Sequence, residues 1–214
     1  MVQEVMPRGE VLRCARVHRV GPVLLGVACV AALSAVLGGV RFPVPSLESG
    51  AGTVGVPFRR ELPLVSAVFL TALWSGPMSA HEQGAADTFH RLRARLLAWT
   101  SLAAAVLSLL TEALTVGWPM GLVFVRSLAI WWGLAMLSLR LLGPHLAWVL
   151  PLGSAFPLVW FTGGALDWTS AGPGDARFWA LAAASLALGT AGLAWTPWHS
   201  HALRHRCRRM SRHR

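Results

Sequence analysis

Long stretches without a single charge constrain this chain more than anything else in it. Val20–Val40 has no charged side chain. As a helix rising about 1.5 Å per residue it would reach roughly 30 Å, the thickness of a bilayer's hydrocarbon core. Five more apolar runs follow, at Leu62–Ala80, Leu96–Val116, Gly121–Leu142, Leu146–Leu166 and Phe178–Trp198. In hydrocarbon every backbone N–H and C=O must be satisfied internally, so such runs read as helices. The expected fold class is all-α, a polytopic integral membrane protein of six transmembrane helices. Segments 1–19 and 199–214 flank a transmembrane domain over 20–198. Charged residues make up 13% of the chain, half the share usual for a soluble domain of about 25%, and lipid as solvent explains the deficit.

The segments between the runs sort by charge. Every one of the 19 basic residues is arginine. Met1–Arg19, the loop carrying Arg91, Arg93 and Arg95, Arg140 and the tail after Trp198 all fall on one side of an alternating six-span chain. Arg41, Arg59, Arg60 and Arg177 fall on the other. The excess of arginine in cytoplasmic loops predicts both termini inside, in the cell membrane. The same placement excludes a nucleic-acid partner despite a formal charge of +10, because the arginines mark span ends rather than one face of a fold.

Local signals refine the boundaries. Val20–Val40 exceeds the apolar core of a cleaved signal peptide and is followed by Arg41-Phe42-Pro43, so it is expected to stay as an anchor. Within 10–19, Val11, Leu12 and Ala15 share a helical face, which suits a short helix on the membrane surface as well as a solvated basic tail. Residues 41–61 are rich in Pro, Gly and Ser, have no helical period, and read as a loop. Asp87 and Arg91 are spaced i,i+4, and Phe89, Leu92 and Leu96 share a face, so a helix is expected to run through 87–95 into the third span. Gly117-Trp118-Pro119 and Gly143-Pro144-His145 read as turns. Pro151, Gly153 and Pro157 predict a kinked fifth span. Trp118, Trp168 and Trp179 at one end, and Trp99, Trp148, Trp195 and Trp198 at the other, fit interfacial belts. Trp131-Trp132 lies mid-span and reads as a packing or lipid-facing pair.

The chemistry-bearing residues are few. Glu112 and Arg126 lie within runs, each seven positions from Pro119, so a hairpin brings them to similar depth. Glu112 shares a face with Ser101, Ala105 and Ser108, and Arg126 with Gly133 and Arg140. An ion near the bilayer centre costs about 2.5–3.5 kcal/mol on insertion scales. An intramembrane ion pair between Glu112 and Arg126 would reduce that cost, as would snorkelling. The pair could equally line a polar path or gate, and the sequence leaves these readings open. His201 and His205 are spaced i,i+4 beside His199, but no carboxylate or nearby thiolate completes a metal site. Cys14, Cys29 and Cys207 form no C-x-x-C. No catalytic, cofactor or metal site is expected. No span holds a His to serve a serine nucleophile, no acidic cluster could hold Mg²⁺, and there is no phosphate-binding Gly-rich loop ending in Gly-Lys-Ser/Thr.

Three patches carry a family resemblance: SGPMSAHEQGAA followed by FHRLRARL at 75–97, VRSLAIWWGLAMLSLRLLG at 125–143, and HLAWVLPLGSAF at 145–156. Together they resemble a group of small actinobacterial polytopic membrane proteins regarded as permease-like components of ATP-binding-cassette (ABC) exporters. Pro77, Glu82 and Arg91–Arg95 stand where that group has a turn, a Glu and an Arg-rich segment. Arg126-Ser127 stands where the group has Arg-Asn, so the Asn is missing. The resemblance implies a surface helix before the first span. It also implies a cytoplasmic helix between spans two and three that docks on a separate ATP-binding subunit, through Glu82, Asp87, Arg91 and Arg93. It further implies pairing with a second copy or a sister permease. The competing expectation is a non-transporting membrane protein, a self-protection factor or scaffold. A lone carrier or enzyme fits less well, since no repeat relates the two halves.

Overall fold

The computed structural model describes residues 16, 19–45, 53–74, 87–160 and 167–194. Among the described residues six α-helices and one pair of β-strands follow in chain order: α1 (Val20–Leu37), β1 (Arg41–Pro45), β2 (Thr53–Pro57), α2 (Leu62–Thr71), α3 (Asp87–Thr115), α4 (Trp118–Leu142), α5 (Val149–Trp160) and α6 (Ala176–Ala194). The protein is mostly helical. Three of the helices are long and apolar enough to cross a membrane: Val20–Leu37, Ala94–Thr115 within α3, and Trp118–Leu142. As described, α2 and α5 are shorter, at 10 and 12 residues. The remainders of their apolar runs, at 75–80 and 161–166, lie outside the described residues. So do the expected surface helix and most of 1–19, the His199–His205 cluster, Cys14, Cys207, Trp195, Trp198 and the tail.

Helix α4 is the hub. It packs against α2, α3, α5 and α6, and 61% of its apolar window is buried, against 28% for the windows of α1 and α3. Its centre is Trp131, fully buried, with Ile130, Trp132, Ala135 and Met136 around it. The tryptophan pair is therefore a packing element. Trp168 stacks edge-on against Trp131 at 5.2 Å between ring centroids and is 8% exposed. The interfacial role expected of Trp168 is thus replaced by a place in the core. Trp148 and Trp179 lie at the protein surface. Each is exposed and ties its indole N–H to a backbone carbonyl at a helix end, His145 and Pro173 respectively.

Small residues set the closest approaches. A Cβ added to Gly133 of α4 would stand 2.6 Å from the Ser185 carbonyl of α6, and one on Gly189 would stand 2.8 Å from the Gly133 carbonyl. Ser185 and Gly189 thus form a small-xxx-small step on α6 into which α4 settles, as membrane helices do when backbones must touch. Helix α3 buries the stripe Leu97, Thr100, Ala104, Ser108 and Glu112. This shares Ser108 and Glu112 with the stripe expected from spacing but turns away from Ser101 and Ala105, which are half-buried.

The turns fall where glycine permits them. Gly117 (φ 121°) separates α3 from α4, and Gly143 (φ 91°) ends α4; both lie where side-chain-bearing residues are strained. Residues 41–45 and 53–57, expected to lie in a loop, pair as two antiparallel strands instead. Phe42 pairs with Val56 and Val44 with Val54. Phe58 N donates to Val40 O at 2.9 Å. Alternation along an antiparallel ladder then makes 42–56 and 44–54 the hydrogen-bonded pairs. Pro43, Pro45 and Pro57 all occupy the other parity, where no N–H is needed. A two-stranded ribbon is all edge, so prolines spaced by two do not break it.

Candidate functional site

The polar groups gather at the end of the bundle that carries the Gly117 turn. The hairpin, the short helical turn Phe58–Arg60, and the segment 167–175 before α6 meet there. Glu112, at the end of α3, is fully buried. Its carboxylate accepts a short hydrogen bond from the Ser34 hydroxyl of α1 and forms an ion pair with Arg59, whose Nε lies 3.0 Å from Oε2. Arg59 also donates from Nε to Ser34 Oγ (3.3 Å) and from Nη2 to the Ser34 carbonyl (3.1 Å). This approach depends on Gly38, where a Cβ would stand 2.6 Å from both Nε and Nη2 of Arg59. A carboxylate, a hydroxyl and a guanidinium thus tie α1, α3 and the lead-in to α2 together.

Arg126 of α4 is also fully buried, but it serves a different partner. Its Nη1 donates to the Gly172 carbonyl (2.7 Å), and its Nη2 to the carbonyls of Trp168 (2.7 Å) and Ala171 (2.8 Å). Its guanidinium lies 5.5 Å from the centroid of the Phe178 ring. The expected ion pair between Glu112 and Arg126 is therefore not formed. The Gly117 turn brings both residues to the same end of the bundle, yet a nearer cation reaches Glu112, and three inward-facing carbonyls take the terminal nitrogens of Arg126 while its Nε stays without a partner among the described residues.

Those carbonyls are aimed by Asp167. Its Oδ1 accepts from Thr169 N (3.1 Å), Thr169 Oγ1 (2.6 Å) and Ser170 N (3.2 Å), and its Oδ2 from Ser170 Oγ (2.7 Å). This is the side-chain-to-backbone turn that Asp favours. Arg60 Nη2 pairs with the same carboxylate at 3.3 Å. Next to Arg60, burial pushes the Glu61 carboxyl above the ordinary carboxylate range, against the pull of Arg60 and with a smaller push from Asp167. Asp175 caps α6 by accepting from Arg177 N at 3.1 Å, and its hydrogen bonds from Arg177 hold its carboxyl below the usual range.

Between the hairpin, α4 and the Asp167 turn lies a cavity of about 390 Å³. Arg41, Arg59 and Arg60 line it with Ser127, Thr169 and Ser170. Sequence reasoning passed over Ser34, Arg59, Arg60 and Asp167. The motif Asp167-Trp-Thr-Ser carries the signature of an Asp-led turn and could have been found. The convergence of Ser34, Arg59 and Glu112, separated by 25 and 78 positions from Ser34, has no local signal.

At the opposite end, α3 begins at Asp87 and continues without a break into its apolar window at Ala94. The backbone of Asp87, Arg91 and Arg93 belongs to this helical extension. Glu82 lies outside the described residues. Among the described residues no three His, Cys, Asp or Glu side chains gather to hold a metal ion. Comparison of the chain with protein-family models, with curated proteins and with solved structures gives no match.

Proposed function

We propose that this chain is the membrane-embedded, permease-like subunit of an ABC-type export system, driven by a separate ATP-binding subunit, with both termini on the cytoplasmic side of the cell membrane. The uninterrupted course of α3 carries the reading. Its 29 residues reach about 43 Å, beyond the roughly 30 Å of a hydrocarbon core. The excess, Asp87–Arg93, is a charged helical extension about 10 Å long at the arginine-rich end. It is where a soluble partner could push, and Glu112 near the far end of the same rod is clamped to α1 and Arg59. A displacement imposed at Asp87 would reach that clamp with no joint between. Pairing with a second copy or sister permease suits the apolar faces of α1 and α3, where Leu25, Val36, Trp99 and Leu114 are each more than 60% exposed.

The test is purification of the tagged chain from its native membranes in mild detergent. An ATPase is expected to co-purify, and Arg91→Glu with Arg93→Glu is expected to release it while the chain stays folded. Recovery of the native chain with no ATPase would overturn the reading in favour of a non-transporting membrane protein.

A further inference from the structure

We propose that the cavity beneath the hairpin is a binding site for a phosphate group, carried either by a lipid headgroup or as a free anion. Its polar lining contains three arginines and no acidic residue. Two of those arginines are balanced from behind. Arg59 spends Nε and Nη2 on Ser34 and Glu112, and Arg60 spends Nη2 on Asp167. The Nη1 group of each retains its hydrogens for another acceptor. Arg41 is not balanced at all: among the described residues it makes no hydrogen bond or ion pair. Its side chain lies across Gly55, whose missing Cβ would have come within 3.3 Å of it.

A second observation comes from the opposite wall. Ser127 of α4 is 2% exposed and lines the cavity, and no hydrogen bond holds its hydroxyl among the described residues. As part of the cavity lining and without a hydrogen-bond partner among the described residues, this hydroxyl can donate to a ligand oxygen. The hydroxyl hydrogens of Thr169 and Ser170 are already committed to Asp167. The free donors are therefore those of Arg41, of Arg59 and Arg60 at Nη1, and of Ser127. A cluster of guanidinium donors with a hydroxyl opposite matches the tetrahedral, multiply accepting phosphate oxygens better than a neutral solute. The rest of the α4 wall is apolar, with Met120, Val123 and Phe124, so the group attached to the phosphate can be hydrocarbon. The cavity volume falls within the roughly 300–1,000 Å³ typical of small-ligand sites.

The site is independent of any ATPase partner, and so is its test. The full-length chain, purified in neutral detergent, is unfolded by heating with tryptophan fluorescence as readout. It is titrated separately with dioleoylphosphatidylglycerol, dioleoylphosphatidylcholine and inorganic phosphate. A saturable rise in midpoint with phosphatidylglycerol alone assigns the site to a headgroup, and one with inorganic phosphate assigns it to a free anion; either supports the proposal. Arg41→Gln, which removes no hydrogen bond or ion pair among the described residues, is expected to weaken the apparent affinity about tenfold or more, as loss of a charge-assisted bond does. Ser127→Ala should weaken it from the other wall, while Arg177→Gln, at an exposed arginine outside the cavity, should leave it unchanged. The proposal is overturned if neither phosphate source raises the midpoint, if Arg41→Gln responds as the native chain does, or if Arg177→Gln loses as much as Arg41→Gln.

Discussion

Removing either half of the Glu112–Arg59 pair should be costly, and unequally so. The two groups differ in access to water: the Glu112 side chain is 1% exposed and the Arg59 side chain 16%, at the edge of the cavity. Arg59→Gln strands a carboxylate with only the Ser34 hydroxyl for company. Breaking a buried pair from one side costs about 3–5 kcal/mol, and this variant should fall in that range. Glu112→Gln keeps a hydrogen-bonding side chain near Ser34 and strands a guanidinium that can still reach water. Its cost should be nearer the penalty for an unmet buried polar group, about 1–3 kcal/mol. Removing both charges together should cost less than the two single changes summed, giving a coupling energy of about 0.5–3 kcal/mol for residues in contact. The same cycle run on Glu112 and Arg126, which share no partner, should give coupling within about 0.5 kcal/mol. Reversible unfolding in mixed micelles, followed by tryptophan fluorescence, measures all these terms. A Glu112–Arg126 coupling larger than the Glu112–Arg59 coupling, or an Arg59→Gln cost below that of Glu112→Gln, would refute the reasoning.

Three further outcomes follow from the geometry. Glu61 has its carboxyl raised by burial, so the fold holds a proton that the unfolded chain releases near the ordinary value of 4.5. Stability should therefore decline as pH rises from there through the raised value, and Glu61→Gln should flatten that decline in unfolding midpoints measured against pH. Gly133→Val places a branched side chain against the Ser185 backbone and should cost about 1–3 kcal/mol, with Gly133→Ala smaller but of the same sign, read by the same unfolding assay. Asp167→Ala frees the turn that aims three carbonyls at Arg126, and should cost about 1–3 kcal/mol while making Arg126→Leu less damaging than it is in the native background.

Much of the helical layout was legible because the apolar period, the glycines at 117 and 143, and the arginine boundaries all act locally. The extension of α3 back to Asp87 was legible for the same reason: Phe89, Leu92 and Leu96 repeat on one face. The hairpin was not, since prolines argue against strands unless their parity is compared across a register that only the fold supplies. Glu112 and Arg126 were recognisable as costly charges needing partners. Their actual partners lie between 42 and 78 positions away, on segments whose own signals say only that they are loops or spans. Spacing on one hairpin suggested that the two residues face each other. Shared depth leaves direction open, and here the two charges answer to different neighbours.

The arrangement of Arg126 bears on how the protein is made. Its acceptors are the carbonyls of Trp168, Ala171 and Gly172, at least 42 residues further along the chain. At a synthesis rate of about 5–20 residues per second, the guanidinium leaves the ribosome roughly 2–8 s before the first of them. During that interval α4 carries a cation with no settled counterpart. The helix that becomes the hub of the finished bundle therefore waits for its acceptors until residues 168–172 have been made. Full seating of α4 is thus a late event of folding, and a chain truncated before Trp168 would leave Arg126 without its three carbonyl acceptors.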